Sequence, residues 1–175
     1  MTDPVLSDAI KEAYASAPSD IIIFHTLELR HSAFSSPIRV VRDYQNLTAT
    51  LESTAPEDPS TEVTFIAFAF NFKKPEIGTD GVPQLTIEID NVSREILANI
   101  ELAAATNDII EVTYREYIST DLTVPQNDPP MHMKISSINA DVFKVSAVAG
   151  FGDFSNKLWP REKYDADRFP GLIPG

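Results

Sequence analysis

The stretch Ile21-Ile22-Ile23-Phe24-His25-Thr26-Leu27-Glu28-Leu29-Arg30-His31 decides the fold, because its side chains change character at every second residue. Ile21, Ile23, His25, Leu27 and Leu29 share one face, and Thr26, Glu28 and Arg30 share the later part of the other. Side chains of an extended chain point alternately to opposite faces. The pattern therefore predicts a strand with one face buried and its charged face in water.

The same period recurs along the chain. Ile38 to Asp43 predicts a second strand, which Tyr44 to Leu51 continues or follows with a third. Leu85, Ile87 and Ile89 alternate with Thr86, Glu88 and Asp90. Ile110, Val112, Tyr114 and Ile118 are expected inward, with Glu111, Thr113 and Arg115 outward. Met131 to Ile138 and Asp141 to Val148 read as a hairpin around Asn139-Ala140. Val63 to Phe72 differs, since it is apolar on both faces around Phe65, Phe68 and Phe70. Such a run predicts a strand covered on both sides, with the core as one cover and a helix, the tail or another subunit as the other.

Two segments carry helical spacing instead. Val5, Leu6, Ala9, Ile10, Ala13, Tyr14 and Ala17 recur at that spacing, with Asp3 as N-cap, Pro4 in the first turn and Pro18 as the stop. A second helix is expected from about Ser93 to Ala105, with Ile96, Leu97, Ile100 and Ala104 as its stripe. Loops rich in proline and acid fall at 53–61, 73–83 and 119–130. Roughly seven or eight strands and two helices without regular βαβ alternation predict a β-rich α+β fold. The expected form is a mostly antiparallel sandwich or split barrel. Residues 1–153 form its body and 154–175 a non-periodic docking tail of the same domain.

The tail cannot bury its aromatic side chains by folding on itself. Phe154, the lone tryptophan Trp159, Tyr164 and Phe169 fall in a stretch where Pro160 and Pro170 remove backbone donors and restrict the residue before each. It is expected to dock on the body or on a partner. Trp159 serves as an aromatic anchor and Arg161 as a charged one, both residue types that dominate binding hot spots. Pro160, Tyr164, Phe169 and Leu172, with Phe68 and Phe70 of the apolar run, complete the expected interface.

Composition excludes several classes of chemistry. A net charge of −12 disfavours nucleic acid and anionic membrane surfaces. The absence of cysteine excludes disulfides, thiolate metal sites and cysteine nucleophiles. No apolar run approaches the roughly 20 residues that span a bilayer. The acidic start lacks the pattern of a signal peptide, so synthesis in a cytoplasm is expected.

Nor does a catalytic constellation stand out. His25 and His31 share a strand face but lie about 20 Å apart by strand rise. His25 is expected to be a hydrogen-bonded core residue. Alternation points Met131 and Met133 one way and His132 the other, which favours core packing over soft-metal binding. Glu28, Glu88 and Glu111 are expected on solvated faces, and Glu162, Asp165 and Asp167 lack a calcium-loop spacing. There is no Gly-x-Ser-x-Gly elbow and no phosphate-cradling glycine loop. The chain is therefore expected to have no enzymatic activity, no cofactor and no metal.

Two segments carry a resemblance. The first is Thr26-Leu27-Glu28-Leu29-Arg30-His31-Ser32-Ala33-Phe34, continuing to Pro37-Ile38-Arg39-Val40-Val41-Arg42-Asp43. The second is Phe154-Ser155-Asn156-Lys157-Leu158-Trp159-Pro160-Arg161, then Tyr164 and Arg168-Phe169-Pro170-Gly171-Leu172. Together they resemble a family of tailed-bacteriophage minor tail proteins, catalogued mainly as a domain of unknown function. The resemblance implies a structural virion protein at the distal tip of a long, non-contractile tail, a ring or hub joining tail tube to tip. It implies self-association as a trimer or hexamer, contacts with neighbouring tail proteins, and a place in the virion after synthesis in the host bacterium. Some tail-tip hubs carry a cysteine-ligated iron–sulfur cluster, a feature this cysteine-free chain cannot share. The alternatives are a glycan-binding β-sandwich module that depends on Trp159, and a tail-assembly chaperone.

Overall fold

A computed structural model describes residues 6–16, 21–73, 84–90, 99, 102–103, 105–106, 108–140 and 144–151. Its elements in chain order are α1 (Asp8–Ser16), β1 (Ile23–Arg30), β2 (Ile38–Val41), β3 (Leu47–Thr50) and β4 (Glu62–Ala67). They continue with β5 (Phe70–Lys73), β6 (Gln84–Asp90), β7 (Glu111–Ile118), β8 (Met131–Ala140) and β9 (Lys144–Gly150). All nine strands join one sheet in the order β3-β4-β2-β1-β7-β8-β9-β6-β5. Neighbours are antiparallel except β2 and β4, which run parallel through Val40 with Ile66 and Val41 with Ala67. The β-rich, mostly antiparallel expectation holds at that level. The two-sheet sandwich with two helices does not, since one mixed sheet carries every strand. Of the second expected helix, Asn99, Leu102 and Ala103 are helical and most other positions lie outside the described residues.

The sheet buries both faces of its centre. On one face Leu27, Val40, Val112, Tyr114 and Met133 pack with Leu85 and Ile87 of β6 and with Phe70 of the edge strand β5. Phe72 of β5 also meets Tyr114, ring centroids 5.2 Å apart. Strands separated by β8, β9 and β6 touch in this way only when the sheet curls over, as strongly twisted sheets do. On the other face Val41 and Tyr117 pack with Leu47, Ala49, Val63 and Phe65, so β3 and β4 cover the back of β1 and β7.

The apolar run Val63 to Phe72 is not one two-sided strand. In β4, Val63 and Phe65 are buried while Thr64 and Ile66 are exposed, so burial alternates. The run then leaves β4 and begins β5 at the opposite end of the strand order. It is apolar over most of its length because it supplies two strands and both core clusters in turn.

Helix α1 starts later than its periodicity suggests. The Ser7 carbonyl accepts the Lys11 N–H at 3.1 Å and the Ser7 hydroxyl accepts the Ile10 N–H at 3.3 Å, so Ser7 is the N-cap. Leu6 forms an isolated bridge with Asn127 and stays extended. Asp3 and Pro4 lie outside the described residues. Ile10 is fully buried, and the Ser7 N–H donates to the Gln126 carbonyl at 3.0 Å, which ties the helix to the loop after β7.

Candidate functional site

The charged face of β1 is the largest departure from expectation. Glu28 is 0 % exposed, not solvated. It stands directly opposite Arg39 on β2 and Thr113 on β7. Arg39 Nε donates to Glu28 Oε2 at 2.9 Å, and Arg30 Nε and Arg115 Nη1 each lie 3.5 Å from a Glu28 oxygen. Each arginine has a second acidic partner. Arg39 Nη2 reaches Asp58 at 2.8 Å and Arg30 Nη2 reaches Glu111 at 3.3 Å. Arg115, also 0 % exposed, grips both oxygens of Glu52 at 2.7 and 2.9 Å.

The desolvation cost of such charges makes a buried ion network weak evidence for stability but a strong constraint on pairing. A one-residue slip of β1 would swing Glu28 and Arg30 onto the apolar face. Partial burial works against the charge on Arg39, but the hydrogen bonds and charges of Glu28 and Asp58 outweigh it and raise its pKa.

Glu52 makes the network sensitive to acid. Burial opposes its ionisation, yet the Arg115 hydrogen bonds and charge hold the carboxyl below the ordinary carboxylate range. A folded-state pKa below the unfolded one means that the unfolded state takes up the proton first. The contribution is complete above the unfolded value of about 4.3 and is lost as pH falls through the folded value. Glu52→Gln is expected to be less stable than the parent at neutral pH. Its urea midpoint should fall less than the parent's on going from about pH 5 to about pH 3.

A second polar cluster sits beneath α1. His25 faces Glu116 across β1 and β7, with His25 Nδ1 3.7 Å from the carboxylate and 2.9 Å from the Tyr114 hydroxyl. The Tyr114 hydroxyl donates to Glu116 in a very short bond, and Tyr14 of α1 donates to the same oxygen at 3.2 Å. Burial, reinforced by the Glu116 charge, pushes the Tyr114 hydroxyl far above its ordinary pKa. Glu116 is 1 % exposed, so the carboxylate that fastens the helix to the sheet is itself out of solvent. His25 is thus a hydrogen-bonded residue at the edge of the core, as its strand position predicts.

The other candidate ligands do not converge. His31 lies beyond the end of β1, against Phe34, Thr106 and the Asp108 carbonyl. Met133 is buried in the core, while His132 projects from the opposite face to the Thr113 hydroxyl at 3.0 Å. Among the described residues no three histidine or carboxylate side chains form a metal-binding group. No described helix is long and apolar enough to cross a membrane.

Of the expected interface residues, Trp159, Pro160, Arg161, Tyr164, Phe169 and Leu172 lie outside the described residues. Phe70 is 3 % exposed and belongs to its own chain's core. Phe68 is half-buried and lines a pocket of about 570 Å³ with Phe70, Arg42, Asp43, Tyr44 and Asn71. Periodicity passed over Tyr44 because it reads equally well as the continuation of a strand. In fact it stands at a turn between β2 and β3, 100 % exposed.

No curated protein matches the chain. A family model described as "Domain of unknown function (DUF1833)" matches residues 9–164, and the chain belongs to that family.

Proposed function

We propose that this chain is a structural virion protein of a long phage tail, a ring or hub subunit at the distal tip that works by assembly. The reading rests on the paired resemblance of Thr26–Phe34 with Pro37–Asp43 and of Phe154–Leu172 to minor tail proteins. One observation supports it. Three charged members of the first segment, Glu28, Arg30 and Arg39, pair with one another and lock the middle of the sheet. A signature of that kind belongs to a rigid scaffold. A ring subunit needs such a body, with surfaces for neighbours around the ring and along the tail.

The tail segment 154–175 is the proposed docking strap, anchored by Trp159 and Arg161. A chain ending at Asp153 is expected to keep the body's cooperative thermal transition and fail to enter particles. Loss of that transition would make the segment part of the core and overturn the strap. The function itself is tested by electron microscopy of virions carrying a tagged copy. Density at the tail tip is expected, and a particle without the tag would refute the assignment.

A further inference from the structure

We propose that the pocket between the β2–β3 turn and the β4–β5 connection binds an acidic saccharide, with Tyr44 as the stacking platform and Arg42 as the partner of the sugar carboxylate. This inference does not depend on a place in the virion.

The backbone of both pocket walls is held by hydrogen bonds. The two walls are tied together at one atom, since the Val41 carbonyl accepts both the Asp43 N–H at 3.0 Å and the Phe68 N–H at 2.9 Å. The Asp43 carboxylate accepts the Tyr44 N–H at 2.6 Å, and Asn46 Oδ1 accepts the Ala67 N–H at 2.8 Å. The pocket volume of about 570 Å³ lies within the roughly 300–1,000 Å³ typical of small-ligand sites.

The lining selects the class of ligand. Phe68 and Phe70 make an apolar floor, Arg42, Asp43 and Asn71 make polar walls, and the Tyr44 ring stands open to solvent. A purely apolar ligand would displace water from Arg42 and Asn71 without offering them a hydrogen-bond partner in return. A pyranose fits both halves of the lining, because its C–H faces stack on an aromatic ring and its hydroxyls need hydrogen-bonding side chains.

Arg42 specifies the charge. Arg30, Arg39 and Arg115 are spent in the Glu28 network. Among the described residues no carboxylate lies within ion-pair distance of exposed Arg42. Its N–H is fixed to the His25 carbonyl at 2.9 Å, and its guanidinium carbon lies 5.9 Å from the centre of the Phe72 ring. A guanidinium held over a ring keeps its N–H edge for bidentate recognition of a carboxylate. Asp43 beside it and the net charge of −12 oppose a densely charged polyanion. A sugar with a single carboxylate per repeat meets both conditions.

The test is a titration of the full chain, followed by NMR, with a hyaluronan tetrasaccharide and with neutral chitotetraose. Saturable binding of the acidic ligand is expected, roughly tenfold tighter than the neutral one. Tyr44→Ala should weaken both by roughly tenfold, Tyr44→Phe should bind like the parent, and Arg42→Gln should remove the preference for acid. Both side chains are exposed, so thermal melts should show the variants folded. Absence of saturable hyaluronan binding, or binding that neither substitution changes, would overturn the proposal. Concentration-dependent self-association lost in Tyr44→Ala would overturn it as well, by assigning the face to a second copy of the chain.

Discussion

Glu28→Ala is expected to lower the free energy of unfolding by about 3–5 kcal/mol, read as a large drop in the urea midpoint at neutral pH. The substitution removes the one carboxylate shared by three arginines. Arg115, itself fully buried, keeps Glu52 but loses the charge facing its other side. Breaking a buried pair costs far more than the pair contributed, because the surviving charge stays desolvated. Glu28→Gln keeps the shape and a hydrogen-bond acceptor for Arg39, so its loss should be smaller. A change of less than about 1 kcal/mol in Glu28→Ala would mean that water reaches the cluster and screens it.

Phe65→Ala should cost about 3–5 kcal/mol, the range for truncating a fully buried aromatic. Phe65 is 0 % exposed and its ring centre lies 6.1 Å from that of Tyr117, so it clamps β3 and β4 onto the back of β7. The neighbouring Ile66 is 58 % exposed. Ile66→Ala should therefore stay within about 0.5 kcal/mol of the parent. Equal losses at the two positions, measured by chemical denaturation, would restore the idea of a strand covered on both faces.

Much of the sheet was legible because alternation is a local property. Leu27, Val112 and Tyr114 go inward as their spacing demands, and Met133 separates from His132 as alternation requires. The β8–β9 hairpin is present too, although β8 runs on to Ala140 and β9 starts at Lys144. What alternation cannot show is a second cover. Thr26, Glu28, Thr113 and Arg115 read as a solvated face residue by residue, yet all four are fully buried. Glu52, which pairs with Arg115, and Asp58, which pairs with Arg39, come from a loop after β3, and no periodicity links that loop to β1. A faint cue existed in the strand arginines Arg30, Arg39 and Arg115, which are conspicuous in a chain with 26 acidic and only 14 basic residues.

The same limit explains the apolar run and the pocket. A window over Val63 to Phe72 reports hydrophobicity but not that the chain crosses between the two ends of the sheet order. The pocket at Tyr44 joins two connections that are distant in sequence. It emerges only once Val41 has bonded both Asp43 and Phe68.

The central claim, that the chain acts as a part of the particle, is tested most directly by quantitative mass spectrometry of purified virions. A fixed copy number in multiples of three, in constant ratio to the other tail proteins, is the predicted result. Abundance in the infected lysate with absence from the finished particle would contradict it and leave a role confined to assembly.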